Sequence, residues 1–117
     1  MPPVKDCLFC RIASGEIPAD IVFETPDLVA FRDISPQAPV HILIIPRERI
    51  PTTNDIQERH AALMGSLVLA AREIAGSLGI SEEGYRLVFN CNKNAGQAVF
   101  HVHLHLLGGR VFGWPPG

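Results

Sequence analysis

The chain lacks any apolar run approaching the roughly 18 residues that a membrane-spanning helix requires. Its opening, Met1-Pro2-Pro3-Val4-Lys5-Asp6, carries no apolar core of a secretory signal. Both absences lead to the expectation of a cytoplasmic protein. Cysteine is scarce and odd in number, three in all, which fits reduced thiols better than a disulfide scaffold. Charge of one sign is also scarce. A formal charge of −2 leaves no broad basic surface for nucleic acid, although a small site for one nucleotide phosphate needs no global charge. There is no internal repeat and no low-complexity linker, so residues 1–117 read as a single domain. At 47% hydrophobic and 19% charged residues, that domain can build its own core.

The elements follow from periodicity and turn chemistry. Cys7 to Ala13 predicts a short helix ended by Ser14-Gly15. Ile21 to Glu24 and Leu28 to Arg32 read as strands of a hairpin across Thr25-Pro26-Asp27. Val40 to Ile45 is apolar on both faces, as a central strand is, and Pro46 stops it. Asp55 to Leu78 is the one long helix, with Ile56, His60, Leu63, Leu67, Ile74 and Leu78 at helical spacing. Asn54 and Gln57 resemble a capping box, and Gly79 suits the C-terminal cap. Tyr85 to Asn90 is the fourth strand, Asn92 to Gly96 turns the chain, and Ala98 to Leu107 is the fifth. Gly108-Gly109 breaks it. The expected class is α+β, an antiparallel five-stranded sheet with one long helix and a short N-terminal one.

Of five histidines, three alternate in a single apolar run, His101-Val102-His103-Leu104-His105-Leu106-Leu107. On a strand, period two sends His101, His103 and His105 to one face and Val102, Leu104 and Leu106 to the other. Neighbouring imidazoles are then about 6.6 Å apart along the chain, close enough to surround one anionic group or to bind one metal. Scattered core histidines would not fall in such a row.

The run resembles the histidine-triad signature, and its context resembles the nucleotide-binding branch of that superfamily. Asp33-Ile34-Ser35-Pro36-Gln37-Ala38-Pro39 ahead of His41, Gly96-Gln97 ahead of the triad, Gly108-Gly109-Arg110 after it and the end Trp114-Pro115-Pro116-Gly117 all match. The resemblance covers about Cys7 to Gly117. It implies a homodimer in which two five-stranded sheets join. It also implies metal-independent hydrolysis of purine nucleoside 5′-phosphoramidates and aminoacyl-adenylate-like compounds.

Carried onto this chain, the resemblance makes His103 the nucleophile, with one nitrogen tied to the backbone carbonyl of His101. It puts His105 near the phosphoryl oxygens and makes His41 the fourth site histidine. A neutral imidazole suits attack on phosphorus at neutral pH, because its unperturbed pKa is about 6.5. Asp33 would accept from both ribose hydroxyls, as an ionised carboxylate can; without the resemblance, a strand-end turn residue is the favoured reading. Phe9, Ile12, Phe31, Ile34 and Val99 would line the base pocket, a role ordinary core packing also explains. Arg32 stands beside the ribose-binding acid or is a solvated charge. Asn90 and Gln97 would bind the phosphate and sugar region, Gly96 would let backbone approach the phosphate, and Trp114 would reach across the dimer.

Two departures stand out. Ala98 occupies a position where many relatives of the resembled family carry a serine or another polar residue, the serine being able to help protonate the leaving amine; the expectation is weaker phosphoramidate turnover, or help from another group or water. Cys7-Leu8-Phe9-Cys10 forms a CxxC pair that, with His101, resembles part of a structural zinc set. The fourth family ligand position holds Arg49, which cannot ligate, so His60 would have to substitute. Two reduced cysteines and no cofactor are the favoured reading; Cys91 reads as inert. The competing functions are a nucleotide-binding regulatory module with slow turnover, dinucleoside polyphosphate hydrolysis, and a metal site built on His-x-His.

Overall fold

A computed structural model describes residues 7–117; the opening residues read for a signal segment lie outside it. The chain begins with α1 (Leu8–Ala13), followed by the hairpin β1 (Ile21–Glu24) and β2 (Leu28–Arg32) and then β3 (Val40–Pro46). The long helix α2 (Ala61–Ser77) leads to β4 (Tyr85–Phe89) and β5 (Leu104–Gly108). The five strands form one antiparallel sheet in the order β1-β2-β3-β5-β4, which is the expected α+β class. No helix among the described residues is long and apolar enough to cross a membrane.

The central strands explain themselves by alternation. Ile42 and Ile44 of β3, Leu28 and Ala30 of β2, and Leu104 and Leu106 of β5 meet Leu67, Ala71, Ile74 and Ala75 of α2 in the main core. The alternate residues Val29, Phe31, Leu43 and Ile45 point to the other face, where they pack with Cys7, Phe9 and Ile12 around α1. One face of the sheet is thus spent on α2. The other, only partly covered by α1, is where a site can open.

Two boundaries differ from the sequence expectation. The long helix starts at Ala61, not Asp55. Asp55 instead turns its carboxylate back onto Thr52, accepting from its backbone N–H at 3.1 Å and its hydroxyl at 2.8 Å. The capping box is therefore Thr52 with Asp55, not Asn54 with Gln57, and it closes a single 3₁₀ turn. Ile56 and Gln57 are extended, and the Gln57 N–H donates to His60 Nδ1 at 2.9 Å. Such local side-chain bonds compete with helix continuation. At the far end Gly79 takes φ +75° just past the cap Leu78, as expected.

The second difference concerns β5, which begins at Leu104 rather than Ala98. The ladder with β3 ends at Ile44–Leu104. Further along β3, Pro46 has no N–H to donate to a ladder. Its carbonyl is taken by the His101 side chain at 2.7 Å, and the Val102 N–H crosses to the Ile50 carbonyl at 2.6 Å. Residues 98–103 therefore run beside the sheet as irregular chain. Gly108 belongs to β5, and the break falls at Gly109, where φ is +88°.

Candidate active site

The three alternating histidines do not end in one row. His105 lies within β5, paired with Leu43 of β3 and Val88 of β4, on the face opposite α2. His103 precedes the strand, its ring 4.9 Å from that of His105 between centroids. His101 is turned beneath them and is fully buried. Leu104 and Leu106 lie in the main core with α2, as expected, and Val102 is buried as well.

Backbone groups assign the proton on each imidazole. His101 Nε2 lies 2.7 Å from the Pro46 carbonyl, so Nε2 carries the hydrogen and donates. Its Nδ1 is then a bare lone pair facing Cys7 Sγ at 3.4 Å and Cys10 Sγ at 3.3 Å. His103 Nδ1 donates to the His101 carbonyl at 2.8 Å, which leaves Nε2 unprotonated. His41, on β3, is diagonal to His105 across the ladder, a separation that long side chains bridge. His41 Nδ1 accepts the Gln37 N–H at 3.0 Å, so Nε2 carries the hydrogen. It donates to His105 Nδ1 at 2.9 Å and lies 3.5 Å from Asp33 Oδ2. His105 consequently carries its own hydrogen on Nε2.

All four rings favour the neutral form. Burial is the main cause in each case, lowering the pKa of His41, His101 and His103 and taking His105 from 6.5 to about 4. The charges of His103 and His41 push His105 the same way, while Asp33 opposes. At neutral pH the site thus offers one bare nitrogen, on His103, and one N–H donor, on His105.

These two rings border a cavity of about 820 Å³ that also takes Phe9, Ile12, Phe31, Leu43 and Val99 into an apolar wall. Phe9 stands edge-on to His103, ring centroids 5.0 Å apart. Asp33 is at the rim with Oδ1 accepting from the Ser35 N–H at 2.8 Å, so it is at once a turn residue and a wall of the cavity. Ile34 is 98% exposed at the mouth. Arg32 lies 3.3 Å from Asp20, also at the rim. Asn90, Gly96 and Ala98 close the remaining side.

Besides His101, three expected residues do not border the cavity. Gln97 is buried outside the cavity, bracing the loop: its carbonyl accepts the Asn92 N–H at 2.8 Å and its amide donates to the carbonyls of Pro51 and Val99. His41 stands behind His105 instead of bordering the cavity. Trp114 is 84% exposed and does not border the cavity of its own chain. Conversely, Ile17, Pro18 and Ala19 line the wall and were missed by sequence reasoning. A loop has no periodicity to reveal which way it faces; the only signal was an apolar Ile-Pro-Ala segment between helix and strand.

The cysteine pair does converge on His101: Cys7 Sγ, Cys10 Sγ and His101 Nδ1 lie within 4.8 Å of one another. A closed structural zinc site takes four ligands, and this group offers three. His60, considered as the fourth, is held elsewhere, with Nε2 at 2.9 Å from Glu48 and Nδ1 on the Gln57 N–H. The trio does not by itself fit a closed zinc site. Asp33, His41 and His105 also lie within 4.8 Å of one another, but His41 turns a hydrogen, not a lone pair, into that group.

An α+β fold that sets one bare imidazole nitrogen beside an imidazole donor, over an apolar cavity lined also by a carboxylate, has the architecture of a histidine-triad domain. The HIT domain model matches residues 14–112. A purine nucleoside phosphoramidase of Escherichia coli is 50% identical over 109 residues, 93% of this chain and 92% of that protein. Among solved structures, a HIT family hydrolase from Legionella pneumophila superposes with a TM-score of 0.94 at 55% identity, covering 96% of this chain and all of the other. A HIT family hydrolase from Clostridium thermocellum gives 0.91 at 46% identity, over 95% and 96% of the two chains. The chain belongs to the HIT family.

Proposed function

We propose that the protein hydrolyses purine nucleoside 5′-phosphoramidates, adenosine 5′-monophosphoramidate and aminoacyl-adenylates among them, through a covalent nucleotidyl-histidine intermediate on His103. The observation that carries this reading is the 2.8 Å bond from His103 Nδ1 to the His101 carbonyl. It leaves Nε2 unprotonated on a ring that borders the cavity. The E. coli relative named as a purine nucleoside phosphoramidase supports the substrate class.

In the first step the Nε2 lone pair attacks the α-phosphorus, the P–N bond breaks, and the amine leaves with a proton taken from water at the open mouth. In the second, water attacks phosphorus, the N–P bond breaks, and the proton that the water sheds neutralises the hydroxide left by the first step, so the nucleoside monophosphate departs with His103 neutral again. Splitting one displacement into two is the advantage of a covalent nucleophile. The His105 Nε2–H stabilises charge developing on the phosphoryl oxygens. Asp33 receives the ribose hydroxyls, and Phe9, Ile12, Phe31, Ile34 and Val99 cover the base. Arg32, Asn90 and Gly96 flank the sugar and phosphate. No metal is required in any step. A homodimer joined along β4, which is an edge strand, would bring Trp114 toward the partner's cavity.

The test is single-turnover hydrolysis of a fluorogenic adenosine 5′-phosphoramidate by metal-free wild type and His103→Ala. Turnover in the wild type that is lost in the variant, with labelled nucleotide trapped on the acid-quenched wild type, supports the reading. Unimpaired turnover in the variant overturns it. AMP binding without turnover in the wild type points instead to a regulatory nucleotide-binding module, the reading that Ala98 favours.

A further inference from the structure

The peptide group that sets the His41 tautomer sits in a loop that no strand holds. Residues 33–39 join β2 to β3 and take no part in the ladders on either side. The loop is closed at its base by the Asp33 N–H, which donates to the His41 carbonyl at 3.0 Å. Inside it the Ser35 N–H donates to Asp33 Oδ1 at 2.8 Å, and the Gln37 side-chain amide donates to the Ser35 carbonyl at 3.0 Å. These bonds shape the loop without tying the carbonyl of residue 37 to the rest of the molecule. That tie comes from beyond the end of β5, where Arg110 Nε donates to the Gln37 carbonyl at 3.0 Å.

The residues that follow the triad build this clamp. Gly109 lets the chain leave β5 hard against the loop, since a Cβ at that position would lie 2.9 Å from Pro39 Cβ. Arg110 comes next. Its guanidinium carbon lies 4.2 Å from the centre of the Phe112 ring, and Nη1 donates to the Val111 carbonyl at 3.2 Å. Arg86 of β4 meets the same ring at 5.1 Å and donates to the Gly113 carbonyl at 2.9 Å. A planar guanidinium stacked on a ring is held in one orientation, so its Nε–H is aimed before any substrate arrives. The bond to Gln37 is exposed, and water replaces such a bond with little change in stability. Water does not, however, fix where the loop stands. What Arg110 contributes is position.

We infer that Arg110 is a positioning residue for the His41–His105 pair. Holding the Gln37 carbonyl keeps the Gln37 N–H on His41 Nδ1. That keeps the His41 hydrogen on Nε2 and the His105 hydrogen on the nitrogen left for substrate. Arg110 does not itself border the cavity. The inference rests on the reaction proposed above for the use made of the His105 hydrogen.

The experiment compares the wild type, Arg110→Ala, His41→Ala and the double variant. In steady-state kinetics on an adenosine 5′-phosphoramidate, Arg110→Ala should lower kcat by about 5-fold with KM unchanged. In the His41→Ala background the same change should lower kcat by less than about 2-fold, because residues that act through one another are not additive. Nitrogen-15 NMR of the labelled imidazoles is the second readout. The wild type should show one protonated and one bare nitrogen on each of His41 and His105, and Arg110→Ala should move both rings toward the average of two tautomers. Arg110→Lys, which keeps a charged donor, should stay closer to the wild type in both measurements. The spectra need no turnover, so a wild type that fails to hydrolyse the substrate strikes the proposed reaction and leaves the tautomers to decide the clamp. Losses in kcat that add fully across the two sites, or Arg110→Ala imidazoles identical to those of the wild type, would each overturn the inference.

Discussion

His41 Nε2 lies 2.9 Å from His105 Nδ1, and the Gln37 N–H on the opposite nitrogen of His41 decides which ring is the donor. A peptide group outside the cavity therefore fixes the proton on the His105 nitrogen that is left for substrate. Without His41 the His105 ring could place its hydrogen on either nitrogen.

His41→Ala is accordingly expected to lower kcat by about 10- to 100-fold with little change in KM, a smaller loss than removing the donor itself in His105→Ala. His41→Gln, whose amide can donate to His105 Nδ1, should recover part of the rate. Steady-state kinetics on an adenosine 5′-phosphoramidate measures both. A His41→Ala enzyme with raised KM and unchanged kcat would show that His41 serves binding only.

The pKa shifts set a pH window for stability. In the unfolded chain the four site histidines bind protons as pH falls through about 6.5. In the folded protein burial holds all four below that value, His105 at about 4. Between those limits the unfolded state binds more protons, so stability is complete above about pH 6.5 and declines as pH falls toward 4. Urea midpoints should thus drop from about pH 7 to about pH 5, and His105→Asn should flatten the slope. A midpoint that rises on acidification contradicts the assignment of these rings as neutral. The acid limb of kcat/KM should likewise fall below 6.5, since His103 is the group that must stay unprotonated.

Most of the sheet was legible because its signals are local. The alternation in β2 and β3 states which side chains face α2, and Thr25-Pro26-Asp27 states where the hairpin turns. What escaped depends on distant partners. Period two alone puts His101 in a row with His103 and His105. The proline at 46 ends the ladder, and contacts to Cys7 and Cys10, more than 90 positions away, draw His101 under the cavity. Gln97 was named for the phosphate and sugar region, but its bracing role went unread for a related reason, since its three hydrogen bonds tie a loop together and no periodic pattern announces that. The family resemblance supplied the candidate residues and the bond from His103 to the His101 carbonyl, while the hydrogens of His41, His101 and His105 came only from geometry.

The 3₁₀ turn ahead of α2 offers a check on that local reasoning. Asp55 holds the Thr52 N–H and hydroxyl in the capping box before Ile56. Asp55→Ala should cost about 1 kcal/mol of stability, the usual size of a lost cap. It should leave phosphoramidate turnover unchanged, because residue 55 does not border the cavity. Chemical denaturation with parallel kinetics separates the two. A gain in stability would mean that the helix prefers to begin at residue 55 once the competing carboxylate is gone.

Ala98 borders the cavity on the side of Asn90 and Gly96, and it has no proton to give. An alkyl amine is a poor leaving group unless it is protonated as the P–N bond breaks, and a positioned donor contributes typically 10²–10⁴-fold, about the most one hydroxyl could add here. Ala98→Ser is therefore expected to raise kcat on an unactivated alkyl phosphoramidate by about 10-fold, below that ceiling because a serine hydroxyl is a weak acid. On a substrate with an aromatic amine, which leaves without help, the same change should do little. The comparison between the two leaving groups is the informative measurement. Equal effects on both would place the hydroxyl in binding, and no effect on either would mean that water at the open mouth already delivers the proton.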